Sequence, residues 1–301
     1  MRLMSTALRR HQVTQHNVMR QMSSGRKVEL ASDDPGAYEA IRNLKGDLAR
    51  LKQYERNASV ANHYLSMADQ GLERTRSILH RANELAVVAQ DGTLDAATRE
   101  AIAGQVNELL ESLFGVANSM EGGRYTFAGL RTDVKPYEAE RDAETGHIAS
   151  VNYVGSTETR MIKTGPEMYA ATNLAGTSEV GEGGVFQTQT LDLFDSLVRL
   201  RDSMLVPTSD VDNQAISEQV QAGLDHILAQ TSVNGARHEQ VRMQGGVLRE
   251  AQTTSMQSIS DLESVDMAEA SMRLSQAQTA YEAALYSTST IMRQVSLLSY
   301  I

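Results

Sequence analysis

Cysteine and tryptophan are both absent from the 301-residue chain, which also contains only four phenylalanines and four prolines. Without cysteine, disulfide bonds and thiolate metal sites are excluded. An aromatic content of 5% is low for one thick globular core of this size. The scarcity of proline leaves long helices uninterrupted. The composition therefore favours helices that pack through thin apolar seams.

Positive charge and long apolar runs are also scarce. The chain has 28 Lys and Arg against 38 Asp and Glu, and a net charge of -10 argues against nucleic-acid binding, which needs a basic face. No segment approaches the roughly 18 apolar residues of a membrane span. Arg9, Arg10 and His11 lie where a secretory signal has its apolar core, and the basic residues before Glu29 are interpreted as a solvated helix face. We expect neither a nucleic-acid nor a membrane partner, and any export to use another kind of signal.

Heptad spacing dominates the C-terminal stretch. This spacing is the a/d pattern of a coiled coil, which buries one narrow stripe against a partner helix. The sequence therefore predicts a C-terminal arm that lies against another helix. Its two apolar series, the second three positions after the first, are Met267, Leu274, Tyr281, Thr288 and Val295, and Ala270, Ala277, Ala284, Ile291 and Leu298.

The N-terminal stretch predicts a helix from about Met4 to Met22, with a weaker apolar side because His11 and Gln15 fall within it. Gly25 suits the left-handed position that follows a helix end. The sequence thus begins, as it finishes, with a helical arm.

Asp34 and Pro35 predict the start of a second helix, as its N-cap and first residue. A third helix is predicted from about Asp95 to Met120, ended by the glycines that follow. The leucines that give the second helix its heptad pattern are Leu44, Leu51, Leu65, Leu72 and Leu79.

The middle of the chain changes character between Arg124 and about Thr190, where glycines punctuate short β-like runs. Strands are predicted at 125–127, 148–154 and 160–163. Helical spacing resumes at 191–205, and a last helical region is predicted from about Asp212 to the C-terminus, with a weak point at Gly245-Gly246.

This order of elements predicts a mainly α protein with a β-rich insert, in which the N- and C-terminal thirds form a long antiparallel α-helical bundle or coiled coil. The predicted domains are terminal coiled-coil assembly arms at 1–36 and 264–301, a helical bundle at 37–130 and 191–263, and a β-rich outer insert at 131–190.

Catalytic and metal-binding patterns do not emerge. His238-Glu239 lacks the second histidine of a zinc helix, and the glycines at 181–184 lack the G-K-[ST] of a phosphate loop. Adjacent Asp33 and Asp34 are interpreted as helix-start residues rather than an acid/base pair. We therefore expect no catalytic residue, no metal and no cofactor.

Two motifs at opposite ends of the chain resemble the signatures of the bacterial flagellin superfamily. They are Ser23-Ser24-Gly25-Arg26-Lys27 with Ala31-Ser32-Asp33-Asp34-Pro35-Gly36-Ala37, and Ile259-Ser260-Asp261 with Val265-Asp266-Met267-Ala268-Glu269-Ala270. The segments Asp91-Gly92-Thr93-Leu94 and Gly123-Arg124-Tyr125-Thr126-Phe127-Ala128-Gly129, and the ending from Gln276 to Tyr300, resemble the superfamily's junction subunits more than its filament subunits.

The resemblance implies a secreted structural subunit of the flagellum that joins hook to filament and leaves through the flagellar type III export channel. Its implied partners are further copies of itself in a ring, the hook-side junction protein, flagellin, and an export chaperone on the C-terminal segment. A filament flagellin is the alternative, and an enzyme or adhesin carried by the insert is the less favoured one. The residues expected to form the assembly interface are Leu8, Val18, Met22, Leu274, Tyr281, Ile291, Val295 and Leu298.

Overall fold

The computed structural model describes residues 2–91, 93–178, 183–206 and 213–298, with side chains for all of these except 2–5 and 291–298. The helices are α1 (Arg2–Ser24), α2 (Pro35–Ala89), α3 (Ala96–Ala117), α4 (Leu193–Leu205), α5 (Asn213–Glu263) and α6 (Met267–Leu298). The strands are β1 (Met120–Glu121), β2 (Arg124–Tyr125), β3 (Tyr137–Arg141), β4 (Ile148–Tyr153), β5 (Met161–Lys163) and β6 (Tyr169–Ala171). The predicted fold class, helical at both ends with a small β-rich middle, is confirmed.

Aspartates set the start of α2, α3, α4 and, as described below, α6, by accepting hydrogen bonds from first-turn N–H groups that have no partner within the helix. Asp34 Oδ1 accepts from the Ala37 N–H at 3.0 Å and Pro35 is the first residue of α2, as the sequence predicted. Asp95 and Asp192 have the same role for α3 and α4.

The chain divides into two compact units. One combines Met1–Lys52 with Arg249–Ile301, and the other spans Gln53–Leu248. The helices α2 and α5 each run from one unit into the other. The predicted boundaries of arms, bundle and insert remain a prediction.

The core of the second unit is built by one face from each of four helices. Leu72 and Leu79 of α2, Val106 of α3, Leu197 of α4 and Val220 of α5 are all fully buried in one cluster. Leu72 and Leu79 belong to the leucine heptads, so the predicted apolar side of α2 faces this core.

Aromatic side chains fill the part of this core that lies under the strands. Tyr137 lies against Tyr153, Phe186 and Phe194, with ring centroids 5.0, 5.7 and 5.2 Å apart. Phe127 meets Phe186 edge to face at 4.9 Å. The fully buried Phe and Tyr side chains of the described residues therefore all lie in this one cluster.

The strands form three separate antiparallel pairs among the described residues, β1 with β2, β3 with β4, and β5 with β6. Gln244 of α5 holds the last pair: its side-chain oxygen accepts from Thr164 Oγ1 at 2.8 Å and its side-chain nitrogen donates to Thr164 O at 2.9 Å. The sequence predicted β4, β5 and part of β2, and missed β1, β3 and β6.

The last helical region is interrupted at a different place from the predicted weak point. It continues through Gly245-Gly246 and breaks between Glu263 and Met267. Val265 donates its N–H to Gly25 O at 3.0 Å, and Asp266 then starts α6 by accepting from Ala268 N at 2.8 Å. The break occurs here because this backbone pairs with a distant segment instead of with its own helix.

Candidate assembly interface

The two terminal helices pack against each other, and α1 turns a narrow face toward α6. Val18 is buried, Leu8 and Met22 are partly buried, and His11 and Gln15 between them are less exposed than their neighbours. This is the weak apolar side that the sequence predicted, with the same two polar interruptions. Gln12 Nε2 donates to Tyr281 Oη at 3.0 Å and connects the two helices directly.

The heptad seam of α6 is the less exposed side of that helix. Ala270 and Ala277 are buried, while Leu274 and Tyr281 are partly buried. Together with α1, these residues form the inner seam of what we call the arm pair, α1 with α6. The structure thus brings five of the proposed interface residues to one contact within the chain. The side chains of the other three, Ile291, Val295 and Leu298, lie outside the described residues.

Large apolar side chains also lie on the outside of the arm pair, where the sequence analysis did not place them. Tyr286 is 77% exposed and Met272 is 61% exposed on α6, and Val13 and Met19 of α1 are 59% and 52% exposed. Met272 and Tyr286 share one heptad position, away from the seam. An apolar residue that recurs at an outer heptad position was the signal that could have found them.

A short backbone pairing joins the linkers that lead into the two arms. Lys27 donates its N–H to Glu263 O at 2.7 Å, and Arg26 lies opposite Ser264 in an antiparallel bridge. Gly25, with φ of +69°, supplies the left-handed turn that directs the chain from α1 into this pairing. We call the pairing of residues 25–27 with 263–265 the linker clasp.

Ion pairs reinforce the linker clasp. Glu263, mostly buried, accepts from Lys45 Nζ at 2.9 Å and lies 3.2 Å from Arg26 Nε.

The loop between α1 and α2 is held by Asp33. Its Oδ2 accepts hydrogen bonds from the backbone N–H groups of Glu29 and Leu30, and its Oδ1 lies 2.7 Å from Arg20 Nη2. The Leu30 N–H, followed by the Glu29 N–H and Arg20, lowers the pKa of Asp33. The carboxylate therefore orders the loop between α1 and α2.

Metal-binding and membrane-spanning features do not occur among the described residues. These residues contain no group of three metal-ligating side chains, and none of the described helices is long and apolar enough to span a bilayer. A partly open cavity of about 380 Å³ beside α5 is lined by Asp225, His226 and Thr188, among others. His226 Nε2 lies 2.7 Å from Gly184 O, so that nitrogen already has a backbone partner.

Comparison with known proteins gives a consistent result. The chain is 27% identical to flagellar hook-associated protein 3 of Escherichia coli over 68% of this chain and 64% of that protein. It is 32% identical to flagellar hook-associated protein 3 of Salmonella typhimurium over 50% of this chain and 48% of that protein. The chain thus spans about half to two thirds of the length of these curated relatives.

A solved structure shares the fold. The flagellar junction protein FlgL from Legionella pneumophila superposes with a TM-score of 0.60 at 16% identity, over 75% of this chain and the whole of that one. The bacterial flagellin N-terminal helical region matches residues 2–132, and the bacterial flagellin C-terminal helical region matches residues 217–301. These two regions are the N-terminal and C-terminal parts of the proteins of one family. Together they cover well over half of the sequence, and they include both helices of the arm pair. The chain belongs to the bacterial flagellin family.

Proposed function

We propose that this protein is a structural subunit of the bacterial flagellum that joins the hook to the filament by self-association of its terminal helices. The observation that carries the proposal is the arm pair, whose inner seam is used within the chain while large apolar side chains remain on its outer side. The similarity to hook-associated protein 3 directs the proposal to the junction rather than to another part of the flagellum.

The exposed side chains of the arm pair explain why it would bind further copies. Met272 and Tyr286 each leave most of their surface in water, and they lie two heptads apart on the same side of α6, where one partner helix would cover both. Covering it stabilises an assembly by about 25 cal/mol for each Å² of apolar surface removed from water. In this proposal the outer surface of one arm pair binds a different surface of the next copy. Such a heterologous contact repeats from copy to copy and builds a ring or a helix.

The proposed partners follow from this role. They are further copies of the chain in a ring, the hook-side junction protein on one side, flagellin on the other, and an export chaperone that binds the C-terminal segment before assembly. The proposed location is outside the cell, in the flagellum. In this proposal Ile291, Val295 and Leu298 extend the interface toward the end of α6, and no catalytic step is involved.

Filament flagellin is the second candidate. It is favoured by the family match itself, because the regions that match are those of flagellin. A filament subunit would use the same arm pair to polymerise without limit. The two candidates predict different positions along the flagellum, and position decides between them.

Immunogold labelling of sheared flagella with antibody against this chain tests the proposal. We expect a single narrow band where hook meets filament, and no label on flagella from cells that lack the gene. Uniform label along the filament would identify a flagellin and refute the junction role. Label nowhere on the flagellum would refute both candidates.

A variant series tests the arm pair itself. We expect Tyr286→Asp combined with Met272→Asp to leave the helix content measured by circular dichroism unchanged but to abolish filament attachment in cells that lack the native gene. Met161→Asp is the matched control, because Met161 is similarly exposed, at 55%, but lies on β5 of the insert. Normal filaments from the double variant would exclude the outer surface of the arm pair from assembly.

A further inference from the structure

Two arginines converge on one tyrosine in the second unit. Arg124 Nη1 of β2 donates to Tyr64 Oη at 3.1 Å, and the guanidinium carbon of Arg160 lies 5.4 Å from the centre of the Tyr64 ring. The three side chains come from α2, from β2 and from the segment before β5. They line a small cavity of about 20 Å³ together with both apolar and polar residues, among them Met67 and Thr126.

Neither arginine has a carboxylate partner. Among the ion pairs of residues 6–91, 93–178, 183–206 and 213–290, none involves Arg124 or Arg160. Glu121 lies opposite Arg124 in the β1–β2 pair, yet the two charged groups make no ion pair. Two guanidinium groups that contact the same tyrosine make this place electropositive, which favours the binding of an anion.

The Tyr64 hydroxyl hydrogen and the Arg160 guanidinium have no acceptor among the described protein groups. Because Tyr64 Oη accepts from Arg124, its own O–H hydrogen is left to donate, and no acceptor for it occurs among the described side chains and backbone. Arg160 is fixed at its backbone, where its N–H donates to Asn173 Oδ1 at 2.7 Å and its carbonyl oxygen accepts from Thr172 N at 3.0 Å. A held backbone aims the guanidinium at lower entropic cost.

We propose that Arg124, Arg160 and Tyr64 form a binding site for a single carboxylate group. Arginine presents paired N–H donors that match the two oxygens of a carboxylate, and the tyrosine hydroxyl adds a third donor. A space of about 20 Å³ is little larger than one water molecule needs, so it admits a carboxylate oxygen and not a larger body. The carboxylate belongs either to a free small molecule or to an acidic side chain of a second copy of this chain.

Titration with sodium acetate tests the site, with sodium chloride at equal ionic strength as reference. The measured quantity is the position of the arginine ¹⁵Nε–¹H signals of the full-length protein, with those of Arg124 and Arg160 assigned from the variants. We expect both signals to move and to saturate at millimolar acetate. Arg124→Gln and Arg160→Gln should each weaken binding about tenfold, because each removes a charged hydrogen-bond partner.

Matched variants separate the site from general charge effects. Arg74→Gln removes an exposed arginine of α2 that does not line this cavity and should leave acetate binding unchanged. Tyr64→Phe keeps the ring and removes the third donor, and should weaken binding severalfold. If Arg124→Gln loses helix content, Arg124→Lys keeps the charge without the paired donors and should still weaken binding. Equal shifts in acetate and chloride, or shifts that never saturate, would overturn the proposal.

Sedimentation distinguishes the two sources of the carboxylate. Self-association that acetate weakens in the native protein, and that the Arg124→Gln/Arg160→Gln variant has already lost, assigns the carboxylate to a second copy. Saturable acetate binding without any effect on self-association assigns it to a free carboxylate. Either result retains the site, whereas absence of saturable binding in the titration removes it.

Discussion

Tyr137 and Tyr153 lie in the same aromatic cluster, and we expect their replacement by phenylalanine to change the free energy of unfolding in opposite directions. Tyr137 is fully buried, and its hydroxyl has no hydrogen-bond partner among the described residues. The hydroxyl of Tyr153 lies 2.8 Å from Ser156 O and 3.1 Å from Phe127 O. Replacing each tyrosine by phenylalanine therefore removes an unpaired hydroxyl in one case and a bonded one in the other.

The magnitudes follow from the cost of desolvating a hydroxyl. A buried polar group without a partner costs about 1–3 kcal/mol, so Tyr137→Phe should stabilise the fold by about 1 kcal/mol. Tyr153→Phe should destabilise it by about 1 kcal/mol, because it loses a hydrogen bond and leaves carbonyl oxygens less well paired. For a domain of this size, each change corresponds to about 2–4 °C in the midpoint of thermal unfolding, upward for the first and downward for the second.

The pH dependence provides a second measurement on the same residues. Burial raises the pKa of Tyr153 to about 12 and that of Tyr137 well above its usual range. The unfolded chain releases these protons near pH 10, so it binds fewer protons than the native protein above that pH and stability falls as pH rises. Tyr153→Phe should flatten this loss between about pH 10 and pH 12, the window set by the unfolded and folded values.

Guanidinium unfolding of the two variants, followed by circular dichroism, measures both changes in stability. We expect the unfolding midpoint of Tyr137→Phe to lie above that of the native protein and the midpoint of Tyr153→Phe to lie below it. If Tyr137→Phe destabilises as much as Tyr153→Phe does, the Tyr137 hydroxyl has a partner and the account of this core is wrong. The two rings are 5.0 Å apart, so each variant serves as the control for the other.

Two further predictions concern the backbone and the loop before α2. Gly25→Ala should destabilise the protein by about 1–2 kcal/mol, because the φ of Gly25 is +69°. Gly246→Ala should stabilise it by about 1 kcal/mol, because Gly246 lies within α5 and no atom lies within 4 Å of the added carbon. Chemical denaturation measures both variants, and unfolding midpoints that move in the same direction would contradict these expectations. The pKa of Asp33 is lowered by the Leu30 N–H and then by Arg20 among its other partners, so its contribution to stability is present above the unfolded pKa near 4 and is lost as pH falls through the folded value. Asp33→Asn should therefore lower the melting temperature at pH 7 and match the native protein near pH 2, and a constant difference across that range would contradict the role given to this carboxylate.

The helices of this fold were accessible to sequence reasoning because their signals are local. The heptad leucines of α2, the inner seam of α6 and the Asp34-Pro35 helix start each depend on residues within a few turns of one another. The structure places the described residues of all three as predicted, except that Met267, the first residue of the seam, is 50% exposed. The strand β3 was missed although Tyr137 and Ala139 point inward between exposed acids, because a run of five residues with two glutamates resembles a polar loop.

Features that depend on distant residues could not be read in the same way. The break before α6 has two causes: the Asp266 cap, which is local in sequence, and the pairing of Val265 with Gly25, which joins distant residues and which sequence patterns cannot show. The carboxylate site joins Tyr64, Arg124 and Arg160 from three separate elements. Part of the proposed assembly surface was not predicted because it lies away from the strongest heptad seam of α6, and the structure uses that seam inside the chain.

The linker clasp has a consequence for the order in which the chain folds. Lys27 Nζ lies 3.1 Å from Asp261 O although the two residues are 234 positions apart. Closing a flexible loop of that length costs roughly 5 kcal/mol of chain entropy, which the few bonds of the clasp cannot supply while the intervening chain is unfolded. Folding of Gln53–Leu248 brings the loop ends together first, so the clasp is among the last contacts to form. A chain that emerges N-terminus first therefore holds its first helix without its partner until the final helix arrives, and that interval is when an arm is free to find a neighbour instead.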